Sequence, residues 1–254
     1  MDSRLVSQQT AELVSISVVI PCFNESESVG QLKERLANLL EVSSQRASSI
    51  QWQFIMVDDG SSDSTYQDLL AAFKDWPQVQ VFQHPQNRGL IAALQTGFAA
   101  CQTPWVAVID SDCTYEPLLL IDLMQKALET PLDCVTCSPY HPEGSVGNVP
   151  AWRIWLSRCA SLLYRWPMRN KLTCYTCCVR VYRSELVKNC KIVSCGFVGV
   201  TELLWRVDQA GANIGEIPAT LRPRTTGVSK MRTLRTTIQH FKLLGAIAKE
   251  KLFG

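Results

Sequence analysis

Short runs of β-branched residues, each followed by a segment of helical periodicity, recur through the first half of this chain. A chain written that way has to wrap helices around a buried, mostly parallel sheet. Strands are expected at Ile16 to Pro21, Trp52 to Val57, Val79 to Gln83, Trp105 to Ile109 and Asp133 to Ser138. Helices are expected between them, at Glu25 to Glu41, Asp63 to Lys74, Leu90 to Cys101 and Pro117 to Glu129. Polar clusters follow three of the first four strands: Asn24 with Glu25, then Asp58-Asp59-Gly60, then Asp110-Ser111-Asp112. Ligands of parallel sheets bind beyond the carboxyl ends of the strands, so these clusters should converge on one crevice.

The rhythm changes after Ser138. Residues 139 to 150 hold three prolines and two glycines and read as a loop. From Ala151 to Trp166 the polar residues Arg153, Ser157, Arg158, Ser161 and Arg165 form a stripe at helical spacing, opposite a broad apolar sector with Trp152, Trp155, Tyr164 and Trp166. That sector suits either a core or a membrane interface. A strand is expected at Tyr175 to Tyr182, a helix at Thr201 to Gln209 and a strand at Asn213 to Ile217. A mobile loop is expected from Arg222 to Lys230, and a basic helical tail from Arg232 to Leu252.

Charge divides along the same line. Up to Pro150 there are 7 Lys and Arg against 18 Asp and Glu; from Ala151 onward there are 18 against 5. One part is suited to cations and the other to anions such as phosphate or lipid headgroups. No recognised nucleic-acid-binding motif accompanies the basic residues, so no nucleic-acid partner is expected. No apolar run approaches the length of a membrane span and the first residues lack a signal peptide's apolar stretch, which predicts an intracellular chain.

Eleven cysteines, an odd number, predict buried thiols rather than a disulfide framework. Cys134-x-x-Cys137 and Cys174-x-x-Cys177 have the formal spacing of a zinc site. The intervening Val135, Thr136, Tyr175 and Thr176 are strand formers, however, and residues three apart in a strand point to opposite faces.

Three motifs carry candidate chemistry. Asp110 and Asp112 emerge together from a buried strand and could share a magnesium or manganese ion that neutralises a diphosphate leaving group; the alternative is an ordinary strand-end turn. Asp58 and Asp59 are acceptors suited to a nucleobase edge or ribose hydroxyl, with Gly60 to Asp63 reading as a turn and helix cap. In Asn87-Arg88-Gly89, Gly89 allows backbone to approach a ligand and Arg88 offers a cation, whereas Ala93 and Gly97 read as close helix-on-sheet packing.

Val18-Val19-Ile20-Pro21-Cys22-Phe23-Asn24-Glu25, Val57-Asp58-Asp59-Gly60-Ser61-Ser62-Asp63, Asn87-x-Gly89-x-x-x-Ala93-x-x-x-Gly97 and Asp110-x-Asp112 stand in that order. In order and spacing they resemble the family-two inverting glycosyltransferases of GT-A fold. The resemblance covers about residues 15 to 130. It implies an α/β fold with a Rossmann-like, mostly parallel central sheet, helices on both faces and C-terminal amphipathic helices. It implies a nucleoside-diphosphate-sugar donor, GDP- or UDP-linked, held by Pro21, Phe23, Glu25, Asp58, Arg88 and Asp110, with Asp110 and Asp112 serving the diphosphate and a Mg2+ or Mn2+ ion. Residues 15 to 221 would form the transferase domain, 15 to 137 as the donor half and 138 to 221 as the acceptor half. Residues 1 to 14 would be a flexible N-terminus, and 222 to 254 a basic loop and amphipathic helix.

Arg224-x-x-Gly227-x-Ser229-Lys230, with Trp152-Arg153 and Arg180-x-Tyr182-Arg183, looks like the polyprenyl-phosphate sugar transferases, the dolichol-phosphate-mannose-synthase branch. Thr114, Pro139 and Thr176-Cys177-Cys178-Val179 depart from that branch, which more often has a glutamine, an arginine and a Ser-Gly-Phe-like stretch there. The branch implies a polyprenyl phosphate acceptor contacted by Arg153 and Ser229, with Asp112, Arg224 and Lys230 stabilising charge as the sugar is transferred. An ionised phosphate needs no general base; a saccharide or lipid-linked hydroxyl would, and Glu202 is the candidate, its alternative being a helix-terminal acid favoured by the macrodipole. Peripheral attachment to the cytoplasmic membrane face follows from the aromatic helix and the basic tail. A non-catalytic nucleotide-sugar-binding protein is the remaining alternative.

Overall fold

A computed structural model describes residues 13–223 and 233–253. In chain order its elements are β1 (Val14–Cys22), a 3-10 turn (Ser26–Ser28), α1 (Val29–Arg46), β2 (Ile50–Asp58), α2 (Thr65–Phe73), β3 (Val79–Gln83), α3 (Leu90–Ala100), β4 (Trp105–Val108), α4 (Leu119–Glu129) and β5 (Cys134–Ser138). Then follow β6 (Ser145–Val146), α5 (Ala151–Tyr164), β7 (Arg180–Arg183), α6 (Ser184–Lys188), α7 (Gly196–Gln209), β8 (Ile214–Pro218), β9 (Thr220–Leu221) and α8 (Thr233–Phe253).

Seven strands form one sheet in the order β3-β2-β1-β4-β7-β5-β8, and β6 pairs with β9 in a separate ribbon. Every pairing in the large sheet is parallel except those of β7, which runs antiparallel between β4 and β5. The β1 sequence shows why the sheet is buried on both sides. Ile16, Val18 and Ile20 pack into a core with α1, α2 and α4, while Val19 faces a second core with α3, α7 and α8. Such strands read as near-continuous apolar runs because neither face meets water. At Gly97 a β-carbon would stand 2.3 Å from Val19 Cγ1, so α3 lies on β1 only because that residue is glycine.

Cys134 belongs to one core and Cys137 to the other, the opposite facing expected of a strand. Among the described residues no group of three or more His, Cys, Asp or Glu is disposed to hold a metal ion.

Three of the differences between the observed elements and the sequence expectations have a local physical reason. Of the expected Tyr175–Tyr182 strand only Arg180 to Tyr182 joins the sheet, as part of β7. Upstream, side chains take the place of ladder partners: the Tyr175 amide donates to Ser161 Oγ and the Leu172 amide to the Tyr175 hydroxyl. The helix expected from Thr201 begins at Gly196. Gly196 and Gly199 lower helix propensity, but Gly199 allows close approach to Ile91 of α3, and packing overrides propensity. Within the expected loop from Pro139 to Pro150, two residues form β6 by pairing with β9.

Candidate active site

Three parallel strands bring the acidic clusters to one edge. In register, Cys22 pairs with Asp58 and Val19 with Val108, so β1 lies between β2 and β4 and all three carboxyl ends point the same way. Buried Cys22 marks the meeting point. Its thiol is held well above the usual range by burial and by the charges of Glu25 and Asp58, with a lowering hydrogen bond to Ser111 of the turn after β4.

The loops after β1 and β2 are tied by side chains. Asn24, with a φ of 50°, accepts the Ser62 amide at 2.8 Å, while its own amide donates to Ser61 Oγ at 2.8 Å. The Glu25 amide donates to Thr65 Oγ1, and Ser28 Oγ donates to the Glu25 carboxylate at 3.1 Å. Asp58 is fully buried, and its carboxylate accepts the Ser61 hydroxyl and, at 3.1 Å, Gln83 Nε2. Gly60 has a φ of 66° and a β-carbon there would collide with the Gln86 backbone, so the Asp58-Asp59-Gly60 turn closes onto the loop after β3 only with glycine.

Asp59 performs a different task. Its two oxygens accept the amides of Arg88 at 2.9 Å and Gly89 at 2.7 Å and a hydrogen bond from His84 Nδ1 at 2.7 Å. The carboxylate fixes the backbone at the start of α3. The Arg88 side chain is exposed, so this segment is fixed through its amide rather than through its guanidinium.

After β4 the chain turns so that Cys113, with a φ of 51°, donates its amide to Asp110 O at 3.3 Å. The Thr114 amide donates to Asp112 Oδ1 at 3.1 Å, and the Cys178 thiol hydrogen-bonds to Asp110. Asp110 and Asp112 line a cavity of about 570 Å³ whose other walls come from α5, α8, Phe197 of α7 and residues 114–115, 139–140, 148–150, 174, 176–178 and 221–223. Arg153 lines it from α5, with a buried Nε that has no hydrogen-bond partner among the described residues and a guanidinium 5.3 Å from the Trp152 ring. Arg222 contributes from the far side; its side chain pairs with Glu116, which also binds Arg35 at 2.8 Å, and its amide donates to Thr114 O at 3.0 Å.

The cavity thus gathers Asp110, Asp112 and Arg153. Pro21, Phe23, Glu25, Asp58 and Arg88 lie off its lining, on the side of β1, β2 and α3. Glu202 is also off the lining: buried in α7, its carboxylate accepts the amides of Val193 at 3.1 Å and Ser194 at 2.7 Å and pairs with Arg206 at 3.4 Å. These contacts make it an anchor for the segment entering α7. Arg224, Ser229 and Lys230 lie outside the described residues.

Arg222, Tyr115, Tyr140, Cys177 and His240 also line the cavity without having been singled out by the sequence reading as parts of one site. They come from five separate segments, and no local spacing unites them. The departures Thr114 and Pro139 both lie on the wall. Pro139 has no amide to donate, and the neighbouring Ser138 hydroxyl instead bonds Thr173 Oγ1 at 2.5 Å.

On α5 only Ser161 and Tyr164 are buried, so of the aromatic sector Tyr164 enters the core while Trp152, Trp155 and Trp166 stay outside it. Trp155 is 65% exposed and Trp166 62% exposed, and on α8 Phe241 is 62% exposed. The two helices are joined where Tyr164 OH meets His240 Nδ1 at 3.0 Å. Among the described residues no helix is long and apolar enough to cross a membrane.

Among solved structures, the glucosyl-3-phosphoglycerate synthase of Mycobacterium tuberculosis, in complex with Mn2+, UDP and glucosyl-3-phosphoglycerate, superposes with a TM-score of 0.66 at 19% identity, covering 93% of this chain and 79% of that one. That likeness establishes a shared fold. In sequence, the chain is 30% identical over 222 residues to the polyprenol monophosphomannose synthase of Mycolicibacterium smegmatis, spanning 84% of this chain and 80% of the relative. It is 28% identical to the dodecaprenyl-phosphate galacturonate synthase of Rhizobium johnstonii over 88% of this chain, and 26% identical to the dolichol-phosphate mannosyltransferase of Pyrococcus furiosus over 86%. The chain spans 63% and 60% of the lengths of these last two. The family model described as Glycosyl transferase family 2 matches residues 17–190, the stretch from β1 to just beyond α6 that builds both the crevice and most of the cavity. The chain therefore belongs to glycosyl transferase family 2.

Proposed function

We propose that this glycosyltransferase moves a sugar from a nucleoside diphosphate to a polyprenyl phosphate at the cytoplasmic face of a membrane, with inversion at the anomeric carbon. The observation that carries this reading is the position of Arg153. It stands on a helix with exposed Trp152 and Trp155, and its buried Nε, unpartnered among the described residues, belongs to the same cavity as Asp110 and Asp112. An anionic headgroup entering from an interface would meet that guanidinium, a donor suited to phosphate. The relatives named as polyprenyl-phosphate sugar synthases support the same acceptor class.

The donor would lie across the carboxyl ends of β1 and β2, with Asp58 and Glu25 on its nucleoside side and its diphosphate toward Asp110 and Asp112. Two carboxylates that belong to no group of three or more His, Cys, Asp or Glu disposed to hold a metal ion among the described residues fit Mg2+ or Mn2+ held partly by substrate phosphates and water, and fit an all-protein cage poorly. Such an ion, when bound, supplies charge neutralisation for the leaving diphosphate. The carboxylate pair is held in place by its neighbours, Asp110 by Cys178 and Asp112 by the Thr114 amide. Arg153 orients the acceptor. Arg224 and Lys230 are proposed to cover the diphosphate, and Ser229 to contact the acceptor. An acceptor phosphate is already ionised near neutral pH, so the reaction requires no base, in keeping with the engagement of Glu202 elsewhere.

The test is to incubate the protein with labelled GDP- and UDP-sugars, Mg2+ or Mn2+, and polyprenyl phosphate, and to follow label into organic solvent. Transfer to the lipid phosphate is expected. Label moving only to saccharide hydroxyls, or donor binding without any turnover, would overturn the acceptor assignment.

A further inference from the structure

Behind the cavity wall, two cysteines from different segments meet in a setting that the glycosyltransfer chemistry does not use. Cys137 is in β5 and Cys177 in the segment leading to β7; both are buried, and their sulfurs are 3.3 Å apart. Disulfide bonding requires about 2.05 Å, so roughly 1.2 Å of approach would join them. Cys177 also lines the cavity, so the pair lies at the cavity wall.

The charge around the pair is unusual. Arg180 is fully buried, and its guanidinium donates to Thr136 Oγ1, Tyr182 OH, Val200 O and Tyr175 O, all neutral acceptors. Among the described residues no carboxylate forms an ion pair with it. These acceptors lie with Tyr175, Tyr182 and Val200 on the face of the sheet opposite Cys137 and Cys177, so the guanidinium acts on the pair as a charge across the sheet and not as a contact. The Cys137 hydrogen bond to Cys177 lowers the Cys177 thiol below its usual range against the effect of burial, with Arg180 adding to the lowering. Cys137 is shifted upward by burial and by its bond to Cys177; of the two only Cys177 lines the cavity, which makes it the sulfur on the side a solute approaches and Cys137 the one behind it.

We propose that Cys137 and Cys177 form an oxidation site that reacts with hydroperoxides and closes to a disulfide beneath the cavity. The Cys177 thiolate attacks one peroxide oxygen, the O–O bond breaks, and water or an alcohol leaves, giving a sulfenic acid. Cys137 sulfur then attacks the Cys177 sulfur, the S–O bond breaks and a second water departs. Two thiols are oxidised by two electrons and one peroxide is reduced. The linkage would lie one residue from Cys178, which bonds Asp110, but its formation does not depend on the glycosyltransfer reading.

The test treats the full chain with hydrogen peroxide, alkylates remaining thiols under denaturing conditions, digests without reduction and maps the peptides by mass spectrometry. A Cys137–Cys177 linked peptide, lighter by two hydrogens and lost on adding dithiothreitol, is expected, with Cys174 and Cys178 alkylated. Cys137→Ser should leave Cys177 as a sulfenic acid that dimedone traps. Alkylation of both Cys137 and Cys177 under conditions that oxidise exposed Cys195, or linkage of Cys177 to Cys174, would overturn the proposal. The mapping of the unaltered protein decides the matter even if the variant does not fold.

Discussion

Asp59 accepts the Gly89 amide at 2.7 Å, so a carboxylate from the end of β2 fixes the backbone at which α3 begins. The same side chain accepts the Arg88 amide and engages His84, which in turn meets Thr96 Oγ1 at 2.9 Å. Asp59→Ala leaves these donors without their acceptor and is expected to cost about 3 kcal/mol of stability. Urea unfolding measures it. Asp59→Asn keeps the shape but loses one acceptor oxygen, and its loss should be about half as large. Equal stability of all three proteins would show that the segment is held by other contacts.

Asp110→Asn and Asp112→Asn test the other acidic pair. Each carboxylate sits in a strand-end turn at the cavity, away from the main apolar packing. Turnover is expected to fall by about 10²- to 10³-fold through lost stabilisation of the leaving diphosphate, with thermal unfolding changed little. Metal titration of the residual activity should show weaker Mg2+ or Mn2+ dependence. Undiminished turnover in both variants would remove these residues from the chemistry.

The contrast between Asp59 and Asp110 explains what could be read from the letters. Strand positions, parallel order and convergence of the acidic turns follow from period and from the rule that ligands lie beyond carboxyl ends, because β1, β2 and β4 are neighbours. That Asp59 is consumed by backbone amides could not be seen, since Asp58 and Asp59 are equivalent letters whose facing depends on the turn. The antiparallel entry of β7 between β4 and β5 was also hidden: its four residues look like the five before them, and only the vacant edge of β4 selects them. The aromatic sector of α5 satisfied core and interface equally well as a pattern. The fold excludes the core for Trp155 and Trp166 by leaving them uncovered, while Tyr164 is buried.

Those tryptophans carry a third prediction. Trp155→Ser combined with Trp166→Ser should reduce co-sedimentation with vesicles of anionic lipid by tenfold or more, on the order of 1.4 kcal/mol, as interfacial aromatic area is lost. Because both side chains are largely exposed, unfolding should shift by no more than about 0.5 kcal/mol. Unaltered vesicle binding would place the membrane contact elsewhere.

His240 makes stability depend on acid. Burial lowers its pKa from 6.5 to about 4, so below about pH 6.5 the unfolded chain takes up a proton that the folded protein refuses. The stabilisation is complete above that pH and is lost as pH falls toward 4, in total on the order of 3 kcal/mol. His240→Gln should flatten the stability profile over this window relative to the unaltered protein. Parallel profiles for the two would mean that the imidazole is protonated in the fold.

Glu202 separates an anchoring role from a catalytic one. Glu202→Gln replaces charge-assisted bonds to the Val193 and Ser194 amides and the pairing with Arg206, and should cost about 2 kcal/mol of stability. If the acceptor is an ionised phosphate, turnover at saturating donor and lipid should fall by less than about tenfold, because no proton has to be removed from the attacking oxygen. A general base would behave in the opposite manner: its removal typically costs about 10² to 10⁴ in rate, and does so without a matching loss of stability. Measuring kcat with polyprenyl phosphate beside urea unfolding of the same preparations distinguishes these patterns. A large fall in kcat with undiminished stability would restore Glu202 as the base and make a hydroxyl the acceptor.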